Sequence, residues 1–408
     1  MSRLTLRFLQ NACFLAVLVL AAAWLLTAGA TTPPDSAARI VVVGDVHGDF
    51  NDFCTILQKA GLIDEQRHWV GGEATLVQLG DLIDRGPKVR EVLDLMMSLE
   101  EQAPKAGGRV VALMGNHEEM NMIGDLRYVT AENFASFADG DSEKRQKAAY
   151  QEYAAWRKSH AQLLAEVLNP VLAETETEWM TRHPIGFVEH QEAFSPKGNY
   201  GKWLRQRSAV AFIKGVIFLH GGISPNVSSL TIEDINSRIR SEIQQYDQNR
   251  QYLTDAKVLL PSFTLQETAA ALQAEVIAER KGRVLANEML QAKSTQLLGL
   301  GGWLCVREDG PLWFRGYDQW SEEEGLPQVE KILGAYKATN VVVGHTVQRT
   351  ASIRSRFGGK VFLIDTGMLS SYYPGGRPSA LEISDGGEFA ALYTDKRVVL
   401  LAGKSGQN

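Results

Sequence analysis

The sequence predicts an α/β fold with a largely buried sheet system and two long helical insertions. Three observations predict it: short β-branched runs recur along the chain, helical patterns lie between them, and five runs end in a glycine-rich polar signature.

The runs are Arg39–Gly44, Thr75–Gly80, Arg109–Gly115, Gly215–Leu219, Asn340–Gly344 and Lys360–Ile364. Runs this short and apolar read as strands buried on both faces. Phe389–Tyr393 and Arg397–Leu401 read as a closing hairpin around Thr394-Asp395. Asp49 is placed to cap a helix through Ala60, which Gly61 ends. Pro87 suits the first position of a helix carrying Val92, Leu95, Met96 and Leu99.

The insertions, about residues 125–202 and 229–300, are rich in Ala, Glu, Gln and Lys. Thr231 and Asp234 form a capping-box start in the second. Tyr150, Tyr153 and Trp156 sit at helical spacing in the first and read as the core of a cap over the site. Asp139–Glu143 resembles the start of a calcium loop. Lys144 and Tyr150 stand where that loop needs Gly and Glu, so a helix start is the better reading.

With 408 residues, 45% apolar and 22% charged, the chain has an ordinary globular balance. Its net charge of −6 and lack of a basic run argue against a nucleic-acid partner. Arg3 and Arg7 precede an apolar stretch over residues 12–26, followed by Ala28-Gly29-Ala30, the layout of a secretory signal. An uncleaved anchor in the inner membrane is the alternative, and either leaves the rest of the chain periplasmic or secreted. The expected organisation is signal or anchor over 1–30, linker over 31–38, catalytic domain over 39–403 and tail over 404–408. Cys54 and Cys305 read as two buried small hydrophobes rather than a disulfide.

Gly44-Asp45-Val46-His47-Gly48 follows the first strand and Gly80-Asp81-Leu82-Ile83-Asp84-Arg85-Gly86 the second. Gly115-Asn116-His117-Glu118 follows the third, His220-Gly221-Gly222 the fourth and Gly344-His345-Thr346 the fifth. Ligands in α/β sheets gather at the carboxyl ends of strands, so five such ends can meet in one cleft. Carboxylate, imidazole and amide oxygen without thiolate suit a pair of divalent ions such as Mn, Fe or Zn. A paired site needs one bridging carboxylate, and Asp81 is the natural candidate. Two further groups keep two readings each. Trp203, Arg205 and Arg207 are a substrate approach or a surface cluster; Tyr372–Arg377 is a cleft rim or a turn of packed aromatics.

These five motifs, in this order, resemble the phosphoprotein phosphatase family of calcineurin-like metallophosphoesterases. Pro311–Tyr317 and Ile364-Asp365-Thr366-Gly367 are similar to its bacterial-type, Shewanella-like branch. The resemblance implies a two-sheet sandwich flanked by helices, with the insertions as caps. It implies that Asp45, His47 and Asp81 bind one ion, and Asp81, Asn116, His220 and His345 the other. It also implies that Arg85 and Arg315 grip the phosphate with Asn116, and that His117 is a general acid oriented by Asp84.

The expected activity is hydrolysis of phosphomonoesters by a metal-bridging hydroxide. The substrate would be a phosphorylated protein, peptide or small phosphoester, with phosphoserine, phosphothreonine and phosphotyrosine all open. A nucleotide or dinucleoside-polyphosphate hydrolase is the first alternative, and a non-catalytic envelope binding protein the second.

Overall fold

The structure is a computed structural model that describes residues 39–164, 170–280 and 288–403. The signal or anchor, the linker and the tail lie outside the described residues. Among those described, no helix is long and apolar enough to cross a membrane.

Eleven strands are described: β1 (Ile40–Val43), β2 (Thr75–Gln78), β3 (Arg109–Ala112), β4 (Val210–Ile213), β5 (Val216–Leu219), β6 (Asn340–Val343), β7 (Arg354–Arg356), β8 (Val361–Leu363), β9 (Ser379–Ile383), β10 (Phe389–Tyr393) and β11 (Arg397–Leu401). They form two mixed sheets, ordered β11-β10-β9-β1-β2-β3 and β4-β5-β6-β8-β7. β1-β2-β3 run parallel at one edge of the first sheet, and β5-β6-β8 run parallel in the middle of the second.

Strand alternation builds the two layers of core. Ile40, Val42, Val77, Phe218, Val342 and Phe362 share one buried cluster with residues of β9 and β10, and Phe362 stacks on Phe389 at 4.4 Å. Their neighbours Val41, Val43, Leu76, Ile217, Val341 and Val343 join a second cluster with the apolar faces of the flanking helices. A strand covered on both faces reads as an unbroken apolar run, which is why these were visible in the sequence. β3 is the exception: it edges its sheet with Arg109 exposed and Val110 and Val111 half-buried.

The helix Phe50–Lys59 begins on Asp49, whose carboxylate accepts the Asp52 N–H. Pro87 does not open the next helix; that helix runs Val89–Gln102 from an N-cap at Lys88. The residues around Pro87 are instead drawn toward the first loop, where Gly86 and Lys88 donate to the carbonyls of His47 and Gly48.

Among the described residues, 131–164, 170–204, 232–280 and 288–298 are mainly helical, the longest helix being Ile232–Asp255. Thr231 and Asp234 satisfy each other's backbone N–H groups at its start. Tyr153, Trp156, Trp179, Tyr246 and Phe263 form a third cluster with Ile123 from the core. Cys54 and Cys305 are both free, and only Cys305 is fully buried.

Candidate active site

Five loops meet at the carboxyl ends of β1, β2, β3, β5 and β6, drawn from both sheets. The first two are zipped together: Val46 and His47 donate to the Asp81 carbonyl, and Gly48 donates to Leu82. Among the site residues, His47, Asp81, Asp84, Arg85 and His345 all have positive φ, between 49° and 67°. Each such left-handed residue costs about 1–2 kcal/mol, and strain of this kind persists where the surroundings over-determine it.

Both candidate carboxylates are split between a structural and an inward oxygen. Asp45 Oδ1 accepts the His345 N–H at 3.0 Å and Asp81 Oδ1 accepts the His117 N–H at 3.0 Å. A Cβ on Gly344 would come 2.4 Å from Asp45 Oδ1, and one on Gly115 would come 2.2 Å from Asp81 Oδ1. Only glycine lets those backbones approach so closely. Each carboxylate keeps Oδ2 for the centre: His47 Nε2 lies 3.9 Å from Asp45 Oδ2 and 3.6 Å from Asp81 Oδ2, and His220 Nε2 lies 3.3 Å from Asp81 Oδ2.

The three candidate histidine ligands are oriented by one device. His47 Nδ1 donates to the Ile83 carbonyl, His220 Nδ1 to Leu79 and His345 Nε2 to Trp313, at 2.9, 3.1 and 3.1 Å. Fixing the proton on the outer nitrogen bares a lone pair on the inner one. Around His220 Nε2 those lone pairs face one another, with Asn116 Oδ1 at 2.9 Å and His345 Nδ1 at 3.0 Å. Acceptors crowd together like this only if a proton or a cation sits among them.

The electrostatics agree. Burial pushes Asp81 upward, but His220, His117 and His47 more than offset it and hold the carboxyl well below its ordinary value. Burial also opposes charge on His220, yet Asp81 and Asp45 raise it to about 9. Burial keeps His47 and His345 neutral, the form that binds a metal. Asp45, His47 and Asp81 therefore suit one ion, and Asp81, Asn116, His220 and His345 a second. Asp81 reaches both.

His117 differs from these histidines. Its Nδ1 donates to a carboxylate, Asp84 Oδ2, at 2.6 Å, and Asn121 Nδ2 donates to Asp84 Oδ1 at 2.9 Å. Burial works against its charge, but Asp81 and Asp84 prevail and raise its pKa. His117 Nε2 lies 3.8 Å from Asp81 Oδ2 and accepts from Arg85 Nη2 at 3.1 Å.

A cavity of about 260 Å³ opens over the centre, lined by Asp81, Arg85, His117, Tyr128, Arg315 and Tyr373 among others. Arg85 donates to the Tyr373 hydroxyl at 2.6 Å, touches His47 Nε2, and lies over the rings of Tyr128, Tyr372 and Tyr373. Arg315 donates to the His345 carbonyl and to Thr346 Oγ1.

All ten candidate residues thus surround one cleft. Sequence reasoning named Glu118 and Asp365 within motifs but gave no role to them, nor to Asn121 and Tyr128. Glu118 is fully buried, takes the backbone N–H groups of Asp81, Leu82 and Gly115, and is raised to about 7 by burial and Asp81. Asn121 lies one helical turn after His117, a spacing that signals a shared face. Tyr128 carried no local signal. Tyr373 belongs to the rim of the cleft, whereas Trp203 is buried, Arg205 pairs with Asp247 and Arg207 with Glu100, all away from the site.

Residues 38–349 match the family model described as calcineurin-like phosphoesterase. The chain is 26% identical over 357 residues to Shewanella-like protein phosphatase 1 of Plasmodium berghei, covering 85% of this chain and 72% of that one. It is 30% identical over 224 residues to Shewanella-like protein phosphatase 2 of Arabidopsis thaliana, covering 52% and 53%. The crystal structure of a cold-active protein tyrosine phosphatase from a psychrophilic Shewanella species superposes with a TM-score of 0.56 at 25% identity, covering 90% of this chain and 82% of that one.

Proposed function

The chain belongs to the calcineurin-like phosphoesterase family, and we propose that it is a metal-dependent phosphatase acting on phosphomonoesters of proteins or peptides. One observation carries this reading: Asp81 Oδ2, Asn116 Oδ1, His220 Nε2 and His345 Nδ1 converge as bare acceptors, with His47 and Asp45 on the other side of the same carboxylate. When bound, two divalent ions (Mn, Fe or Zn) would supply an acidified water and neutralise phosphate charge.

The chain's own residues supply the rest. Arg85 and Arg315 face one cavity from opposite loops, and their planar guanidinium groups match phosphate oxygens. Asn116 offers its amide there as well. Once Arg85 turns from His117 Nε2 to the phosphate, that nitrogen is free to carry a proton and deliver it to the leaving oxygen, an effect worth about 10²–10⁴-fold in rate. Asp84 keeps its ring upright and stabilises the charged form. The aromatic lining of Tyr128, Trp313 and Tyr373, with Tyr372 exposed at the rim, favours an aryl phosphate such as phosphotyrosine over an alkyl one.

The test is a panel of phosphotyrosine peptide, phosphoserine peptide and dinucleoside polyphosphate, assayed with Mn, Fe, Zn and Mg against measured metal content. Two ions per chain and fastest turnover of the phosphotyrosine peptide are expected. Predominant dinucleotide cleavage, or full activity in metal-free protein, overturns the reading. We also propose action outside the cytoplasm, supported by the order of charged, apolar and small residues over 1–30. Recovery of the protein in the cytosolic fraction would refute it.

A further inference from the structure

Asp365 takes no part in the steps above, yet it follows β8 and sits among the same strand ends. It is 2% exposed. Its Oδ1 accepts the Gly367 N–H at 2.9 Å, and among the described residues no donor reaches Oδ2. What lies beside it is another carboxyl, that of Asp45, within hydrogen-bonding reach.

Neither group can turn away. Asp45 Oδ1 is held by the His345 N–H and Asp365 Oδ1 by the Gly367 N–H, while the Asp365 backbone is fixed by the Gln348 N–H on its carbonyl at 2.8 Å. The two strand ends are tightly apposed: a Cβ on Gly44 would stand 3.2 Å from the Ile364 carbonyl oxygen. Neither arginine of the cleft balances the pair, and His220, whose charge reaches both carboxyls, is paired with Asp81 as well. Arg85 is engaged by His47, His117 and Tyr373, and Arg315 by His345 and Thr346. Two buried carboxyls side by side, one oxygen of Asp365 having no donor, are strongly disfavoured as bare anions, so a shared proton or a cation must sit at this spot. The centre is also lopsided without it: the second ion has four protein ligands, the first only Asp45, His47 and Asp81.

We propose that Asp365 belongs to the first ion's subsite, as an additional carboxylate whose charge is balanced by the cation it shares with Asp45. This rests on the two-ion reading given above. It makes the first subsite three carboxylates and one imidazole, a harder, more oxygen-rich set than the second, and so one suited to Mn or Fe rather than Zn.

The test is Asp365→Asn. The amide keeps an oxygen for the Gly367 N–H and gains an N–H that can donate to Asp45, so the metal-free variant should fold, with a Tm at or above that of the wild type. Calorimetric titration of metal-free protein with Mn²⁺, checked by metal analysis, should show wild type binding two ions. Asp365→Asn should bind one of them at least about tenfold more weakly and the other unchanged. His220→Gln identifies which: combining it with Asp365→Asn should weaken both ions. Two unchanged ions in Asp365→Asn overturn the proposal, as does a double variant that weakens only one. A wild type that binds fewer than two ions instead sinks the two-ion reading itself, and this inference with it.

Discussion

Asp84→Asn separates the proton-delivery role of His117 from metal binding. Asp84 accepts from two donors, His117 Nδ1 at 2.6 Å and Asn121 Nδ2 at 2.9 Å. An amide offers one oxygen to those two donors, so one of them loses its acceptor and the charge that supports a protonated His117 disappears. Hydrogen bonds to charged groups contribute about 1.5–3 kcal/mol. At 1.36 kcal/mol per tenfold, kcat should fall about 10- to 150-fold. The loss should depend on the leaving group. Phenyl phosphate needs a proton on its departing oxygen far more than 4-nitrophenyl phosphate does, so its kcat should fall more. The raised pKa of His117 owes part of its elevation to Asp84, so the basic limb of the pH–rate profile should move to lower pH. Steady-state kinetics on both esters, with metal content measured in parallel, decide the matter. An equal loss on both esters, a loss below threefold, or loss of an ion would each refute this role for the Asp84–His117 pair.

Asp81→Asn should lose both ions and more than about 10³-fold in activity, beyond the cost of deleting one electrostatic donor, because this carboxylate faces both subsites; retention of two ions would contradict its bridging position. Tyr373→Phe removes the hydroxyl that accepts from Arg85, and inhibition by inorganic phosphate should weaken about tenfold. An unchanged inhibition constant would reduce Tyr373 to a wall. In metal-free protein, His220 has its pKa raised from 6.5 to about 9. A raised pKa favours the folded state fully below the unfolded value and is lost as pH climbs through the folded one. The Tm of the metal-free protein should therefore fall between about pH 6.5 and 9, while the metal-loaded protein, in which a metal would replace the proton on His220 Nε2, should not show this fall; parallel slopes in the two forms would rule it out.

The strands β1, β2, β5, β6 and β8 could be read from the chain because burial on both faces leaves an unbroken apolar run. β4, β7 and β9 could not. β4 exposes Phe212, β7 is Arg354-Ser355-Arg356 with two exposed residues, and β9 carries Glu382, whose ion pairs reach Arg39 and Arg397. Their pairing partners, not their composition, make them strands. Pro87 misled for a similar reason: the pull of the first loop outweighs a local preference for the helix start.

By itself the sequence singled out the candidate side chains and placed all but Arg315 just beyond a short strand, because spacing from strand to glycine to candidate ligand is local. Only the tertiary structure decided that the strand ends come from two facing sheets, and that each ligand histidine spends its outer nitrogen on a backbone carbonyl. It alone brings Tyr128 from an insertion and Tyr373 from a distant loop onto Arg85, and sets Asp365 against Asp45. Such facts depend on contacts between residues up to 300 or more positions apart, and separation along the chain says nothing about distance once two sheets pack face to face.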